Sequence, residues 1–557
     1  MEAASALFAD WLNSPPPPLL LLLLGPLIIP LVIFELVLCR LRPTKTKRPP
    51  PSRIDWPSAV DLAAQIRCGA RSSRRLTEDC IARLECCEGV NAVTASCFEA
   101  ALKTADAADA AIVSDSVPDD HRGLLWGVPV VIKECFEMPG LPFTAGIVGR
   151  RGRVGVETCP AIARLSGQPI LATTNVSEAC MFHESCNAIY GRTRNPHDPA
   201  RTPGGSSGGC GALVAAGCSP LAVTSDVGGS TRIPALYCGN FGHKPTGGTV
   251  PNTRTLPVVY PTSLVSRYCQ LGPTARHAVD LWPLLCKLAG PDGTDSMVRQ
   301  DAQTRLLCAN PHSVEVCKLK VIVLEELFMP WPLSSRLHPA MRRAQAVTAA
   351  ALEGMGIQVE RWGRCEMRAR LPEMTFGFSI WAAMLGGAQP VPFRTLISDG
   401  RAPGDDLSFC GVLLEALRCL LCGGETVRHT LPAVALALIE DVESLFPSAR
   451  VAMAKKGAVL RARLDKLLGD GTTVLLLPSL PTPAPRHHEN LLRFPDVAQT
   501  AIFNVMQLPA TAIPLGSEGG LPLGCQAVAG FGRDELSIAL AIALERAGVA
   551  RSVDACP

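Results

Sequence analysis

Five short apolar runs constrain this chain more than any other feature: Val130-Val131-Ile132 within LLWGVPVVIKECF (124–136), QPILATTN (168–175), LAVTSD (221–226), VCKLKVIVLEE (316–326) and TVLLLPSLPTPAP (473–485). Each is short and rich in aliphatic residues, which predicts buried strands. Helical spacing separates them, at 340–355, 411–422, 432–446 and 449–468. Two earlier stretches, 61–89 and 101–113, and ALVAAG (212–217) also read as helical, with Thr77 as an expected N-cap. Strands alternating with helices predict an α/β fold with a mixed central sheet covered by helices. The chain has 557 residues, 47% hydrophobic and 18% charged, enough to bury a large core in one catalytic body.

Residues 19–39, LLLLLLGPLIIPLVIFELVLC, carry one charge, Glu35, and are long enough to cross a bilayer as a helix. Pro26 and Pro30 would kink it, which lipid-embedded helices tolerate. No Lys or Arg precedes it, whereas Arg40, Arg42, Lys45, Lys47, Arg48 and Arg53 follow. This bias predicts a single-pass anchor with the body on the cytosolic side, with a cleaved signal peptide or a hairpin in one leaflet as alternatives; the endoplasmic reticulum and a lipid-droplet surface are both open as its location. The same cations would meet anionic membrane lipid. The organisation expected is a tail (1–18), an anchor (19–39), a basic proline-rich linker (40–53) and a catalytic domain (54–557).

A net charge of +3 and 5% aromatic residues give no footprint for nucleic acid. The 23 cysteines follow no framework spacing and read as free thiols in a reducing compartment. Cys419-Leu-Leu-Cys422, the one C-x-x-C, lies in a leucine-rich helical pattern and reads as packing. No metal or cofactor is called for.

The chemistry gathers in two glycine-rich serine turns 24 residues apart. Ser230 follows a strand, in Asp226-Val227-Gly228-Gly229-Ser230, where glycines let backbone N–H groups point into one concavity. Ser206 sits in Gly204-Gly205-Ser206-Ser207-Gly208-Gly209. That segment satisfies G-x-S-x-G, but the proline-rich NPHDPARTP before it does not supply the strand a nucleophile elbow needs. Lys133 ends an apolar run, and as a base at neutral pH it would need its pKa lowered by roughly 3 units through burial.

GVPVVIKECF, GGSSGG and SDVGGSTRIPALYCGNFGHKPTGG together resemble the amidase signature family, with features over roughly 55–545. The segments 504–509 and 520–526 resemble that family's C-terminal part. The anchor and SEACMFHESCNAIYGRTRNP (177–196) resemble the fatty-acid amide hydrolases within it, the type 2 branch in particular. The resemblance implies a Ser-cisSer-Lys triad: Ser230 as nucleophile, Ser206 as relay on a cis peptide bond, Lys133 as base. It implies oxyanion donors at Val227, Gly228, Gly229 and Ser230, and a support shell of Ser207, Asp226 and Arg232. Fatty-acid amides would be the substrates, and a homodimer an expected assembly. Cys210 stands where those hydrolases usually carry Glu, and Cys135 reads as packing.

Residues 376–385 and 412–421 form two apolar clusters, readable as acyl channel, membrane cap or core. Three other readings stay open: an amidotransferase-like amidase, a non-catalytic lipid-binding membrane protein, and a histidine-based lipase using Ser206 with His183, His197 or His243 nearby.

Overall fold

Alternating side-chain direction along a strand means that a wholly apolar run needs cover on both faces. In the computed structural model, which describes residues 56–260, 262–325, 334–399, 411–412, 414–415 and 428–553, the five runs meet that need in one sheet. Its strands are β1 (Val93–Ser96), β2 (Val130–Lys133), β3 (Ile170–Thr174), β4 (Leu221–Asp226), β5 (Phe241–Lys244), β6 (Gln270–Ala275), β7 (Lys320–Leu324), β8 (Gln358–Trp362), β9 (Thr473–Pro478), β10 (Ala510–Glu518) and β11 (Leu521–Val528). Their spatial order is β1-β3-β2-β4-β6-β5-β10-β11-β9-β7-β8. Pairs β3/β2, β2/β4, β9/β7 and β7/β8 are parallel, and the others antiparallel, so the sheet is mixed.

Two hydrophobic cores sandwich the sheet. Val321, Val323, Val474 and Leu476 belong to one, Ile322, Leu324, Leu475 and Leu477 to the other. Full burial of each such side chain contributes about 1.5–3 kcal/mol.

The expected helices are present at Phe98–Val113, Gly208–Ala215, Pro339–Gly354, Leu431–Ser444 and Pro447–Leu468. The 61–89 stretch differs from expectation. It forms two helices, Ala59–Arg67 and Ser73–Cys86, parted at Gly69 (φ 75°). Ser58 and Ser72 are the caps, accepting from the N–H groups of Asp61 and Arg75. Thr77 lies buried inside the second helix and caps nothing.

Among the described residues no helix is long and apolar enough to cross a membrane. The expected tail, anchor and linker (1–53) lie outside the described residues, as do Cys419, Cys422 and most of the 412–421 cluster. Parallel neighbours β2 and β4 carry the predicted residues out of the sheet at the same edge: Ile132 pairs with Val223, so Lys133 and the turn after Asp226 emerge side by side.

Candidate active site

Lys133 is fully buried, and its Nζ donates to Ser206 Oγ at 2.7 Å and Ser225 Oγ at 2.9 Å. Ser225 did not stand out in the sequence. It is the penultimate residue of β4, beside β2, and its hydroxyl is the second anchor of the lysine head. Ser206 follows a cis Gly205–Ser206 peptide bond. A Cβ at Gly205 would sit 2.4 Å from the Phe182 carbonyl oxygen, so only glycine fits there. Ser207 Oγ reaches the Ser225 carbonyl at 3.4 Å.

The Ser230 turn is held from behind by its carbonyls. Trp381 Nε1 donates to Val227 O at 2.9 Å, and Thr500 Oγ1 to Gly228 O at 2.6 Å. Gly229 has φ 127°, and a Cβ there would meet Thr500 Oγ1 at 2.3 Å. Its N–H donates to Asp226 Oδ1 at 2.7 Å, so one of the four expected oxyanion donors is already engaged. Among the described residues no acceptor meets the N–H groups of Val227, Gly228 and Ser230, and Ser230 Oγ makes no hydrogen bond.

Asp226 and Arg232 form a buried ion pair, Nε to Oδ2 at 2.9 Å and Nη2 to Oδ1 at 3.0 Å. Burial pushes the Asp226 carboxyl up, but the Arg232 guanidinium, with Lys244 and Asn504, holds it down at about 2. Arg232 also donates to Thr500 O (3.0 Å), Gln526 Oε1 (2.9 Å) and Asn504 Oδ1 (2.7 Å). Asn504 Nδ2 in turn donates to Asp226 O at 2.8 Å. These partners come from the C-terminal segments, Asn504 and Gln526 from the two stretches that resemble the family's C-terminal part.

The charge on Lys133 departs from expectation. Burial pushes the ammonium down, but sulfur charge at Cys180, and more weakly at Cys135, Cys269 and Cys210, reverses this, and the net direction is up. Cys210 and Cys269 are themselves pushed up to about 12 by burial, so near neutrality they are uncharged thiols. Cys180 is the exception. Its neighbour Cys135 and the Lys133 ammonium hold its thiol down at about 7 against the effect of burial. Cys135, read as packing, is fully buried with its sulfur 3.8 Å from Ser225 Oγ.

None of the three histidines partners Ser206, whose side chain takes Lys133 instead. His243 is pinned between Thr511 Oγ1 (2.9 Å) and Asp534 Oδ1 (3.2 Å), and His197 Nε2 lies 2.9 Å from Cys238 O. Cys210 packs against Thr174 Oγ1 at 3.0 Å.

Ser206, Ser225 and Ser230 share the wall of one cavity. Its other surfaces are mainly apolar and include Val258, Phe378, Trp381, Leu385, Phe393 and Leu436. Residues of the 376–385 cluster thus divide between cavity wall and core, Ile380 being fully buried against the second core. Leu414 is about half exposed, while Leu413, Leu417, Leu420 and Leu421 lie outside the described residues.

Residues 75–391 match the amidase family model. Fatty-acid amide hydrolase 2-A of Danio rerio is 34% identical over 506 residues, covering 88% of each chain. Fatty-acid amide hydrolase 2 of Homo sapiens is 34% identical over 468 residues, covering 82% of each. A glutamyl-tRNA(Gln) amidotransferase chain of Deinococcus radiodurans is 30% identical over 511 residues, covering 88% of this chain and 97% of its own. Among solved structures, 6-aminohexanoate cyclic dimer hydrolase with its substrate superposes with a TM-score of 0.67 at 26% identity, over 89% of this chain and 98% of that one. A buried lysine on a serine hydroxyl, beside a second serine in a glycine turn, thus sits in a chain that belongs to the amidase signature family and is an amide-hydrolysing enzyme.

Proposed function

We propose that the chain is a membrane-anchored fatty-acid amide hydrolase, cleaving primary fatty amides and N-acylethanolamines to fatty acid and amine. The observation that carries this reading is the 2.7 Å contact of buried Lys133 with Ser206, in one cavity with Ser230. Ser230 attacks the amide carbon. Its proton passes through Ser206 to Lys133 once that amine is neutral, and returns through Ser206 to the leaving nitrogen. An amine leaves poorly unless protonated, so a relay that delivers the proton to it favours amides. The relay needs a hydrogen bond from Ser230 Oγ to Ser206 Oγ, which would form with substrate in place. Val227, Gly228 and Ser230 N–H groups receive the developing oxyanion. Gly229 joins them only by releasing Asp226. Asp226 and Arg232 stiffen this turn, and Ser207 the strand end.

The apolar cavity wall and the names of the 34%-identical relatives support a long acyl chain. Residues 19–39 would place the catalytic domain, 54–557, on the cytosolic membrane face, with membrane lipid against the 40–53 linker. A homodimer is part of the same reading.

A second reading, an amidase of the amidotransferase type, draws on the 30%-identical Deinococcus chain. One panel separates the two. Purified protein is assayed on oleamide, N-acylethanolamines of graded length and glutamine, with fluorophosphonate labelling of wild type and Ser230→Ala. Fatty-amide turnover with labelling lost in Ser230→Ala is expected. Turnover of glutamine alone would favour the second reading, and labelling that survives Ser230→Ala would sink the first.

A further inference from the structure

Two side chains hold the carbonyls of the Ser230 turn, and among the described residues only one of them also faces the cavity. Thr500, on the helix Ala498–Val505, is fully buried behind the turn and donates to Gly228 O. Trp381, on the helix Gly377–Ala388, is 5% exposed, lines the cavity with Ser206 and Ser230, and donates to Val227 O at 2.9 Å. A trans peptide unit is planar, so its C=O and N–H point in opposite directions and turn together. Fixing Val227 O therefore fixes the Gly228 N–H, and fixing Gly228 O fixes the Gly229 N–H. The Gly229 N–H is already committed to Asp226 Oδ1. The Gly228 N–H meets no acceptor among the described residues. Trp381 thus aims a free donor and Thr500 an engaged one. A carbonyl that accepts a hydrogen bond also polarises its peptide and strengthens the N–H on the other side.

The indole packs on the turn as well. A Cβ added at Gly228 would meet Trp381 Cζ2 at 3.3 Å and Cε2 at 3.6 Å. The helix that carries Trp381 is held on two sides. A Cβ at Gly377 would meet Ala498 Cβ at 3.7 Å, and one at Gly457 would meet Met384 Sδ at 2.6 Å, so neighbouring backbones pass close to it. Phe378 stands beside the indole, with ring centroids 5.9 Å apart. One side chain is therefore both cavity wall and clamp on the nucleophile's turn.

We propose that Trp381 is a positioning residue that couples acyl-chain binding to the oxyanion site. A chain packed against the indole holds its N–H on Val227 O, and this fixes the Gly228 N–H where negative charge develops. Chain length is then read in the rate of the chemical step as well as in affinity, because the contact improves the transition state more than the bound substrate. The proposal rests on the reading of Ser230 as the nucleophile of a fatty-amide hydrolase.

The test follows labelling of Ser230 in full-length protein by alkyl fluorophosphonates of graded chain length. These probes need the nucleophile and the oxyanion site but no amide turnover. Saturation kinetics separates the maximal labelling rate from the half-saturating concentration. In wild type the longest probe should label about tenfold faster at saturation than the shortest, the scale of a modest gain in positioning. Equal maximal rates at all lengths overturn the proposal. Trp381→Phe keeps a ring in the wall and removes the N–H. It should abolish the gain in maximal rate while the long probe keeps its lower half-saturating concentration. A variant that is merely damaged would lose rate equally at every length, and that result overturns the coupling. Leu385→Ala trims the same wall one helical turn along and leaves the hydrogen bond to Val227 O in place. It should weaken binding of the long probe and keep the rate gain; loss of the gain there as well would assign it to cavity filling and overturn the role of the N–H. Amides of the same lengths should divide between kcat and KM in the same way. Labelling without fatty-amide turnover would sink the substrate reading alone, since the probe series still decides this one. Labelling that survives Ser230→Ala would take down both.

Discussion

Two lysines are fully buried at the ends of neighbouring parts of the sheet, and they differ in every respect that matters for chemistry. Lys244 closes β5 and donates to Pro245 O at 2.8 Å. Burial, then the Arg232 guanidinium, pushes it down to about 7. Lys133 closes β2, touches two serine hydroxyls beside the cavity, and is pushed up by the Cys180 sulfur against the effect of burial. The lysine with the lower pKa is therefore not the one placed for proton transfer. Burial alone does not make a base: a hydroxyl within reach and a cavity behind it do, and the charge is then set by what else touches the amine.

The comparison can be broken by exchange of roles. Lys133→Ala should lower fatty-amide turnover by about 10²–10⁴-fold and ester turnover by less, because an ester needs no protonated leaving group. Lys244→Met should leave turnover within about threefold, since its Nζ is taken up by the Pro245 carbonyl and a methionine is of similar size. Steady-state kinetics on matched amide and ester substrates checks both, and a larger loss in Lys244→Met would invert the assignment.

Arg232→Met strands the Asp226 carboxylate without its partner and should cost about 3–5 kcal/mol by urea unfolding. A loss under about 1 kcal/mol would mean that Asn504 and the backbone N–H groups suffice.

Stability against pH sharpens the contrast. A lysine whose folded pKa lies below its unfolded one binds fewer protons when folded, so stability rises with pH between the two values. For Lys244 that window runs from about 7 to 10.5. Lys244→Met should flatten the rise there, measured as chemical-denaturation midpoints across the window. An unchanged slope would assign the rise to other groups.

The smallest expected effect concerns the alkaline limb of kcat/KM. Lys133 works as the neutral amine, so a raised pKa moves activity to higher pH. Removing the sulfur with Cys180→Ser leaves burial in control, and the limb should move to lower pH. A limb that stays in place or moves up would show that the sulfur does not set the lysine's charge.

The buried strands β2, β3, β4, β7 and β9 were legible because their apolar runs are local and unbroken. The strands β5, β6, β10 and β11 were not read. Pro273, Pro514 and Pro522 interrupt three of them, and glycines dilute all four. A signal was available for the last pair: Gly519-Gly520, both at positive φ, forms the hairpin turn between β10 and β11. In the site, Lys133, Ser206 and Ser230 stood out by residue type and by their glycine turns. Ser225 did not, because a serine in a strand looks like any other until its neighbour strand is known.

Sequence alone determined the alternation of strand and helix, the two serine turns and the lysine at a strand end, since all of these are written in residues close together along the chain. Only the tertiary structure decided that Ser225 anchors the lysine and that Asn504 and Gln526 brace Arg232. Hydrogen bonds and charge interactions act through space over a few ångströms, and residues far apart along the chain come within that range only when the sheet has brought their strands together.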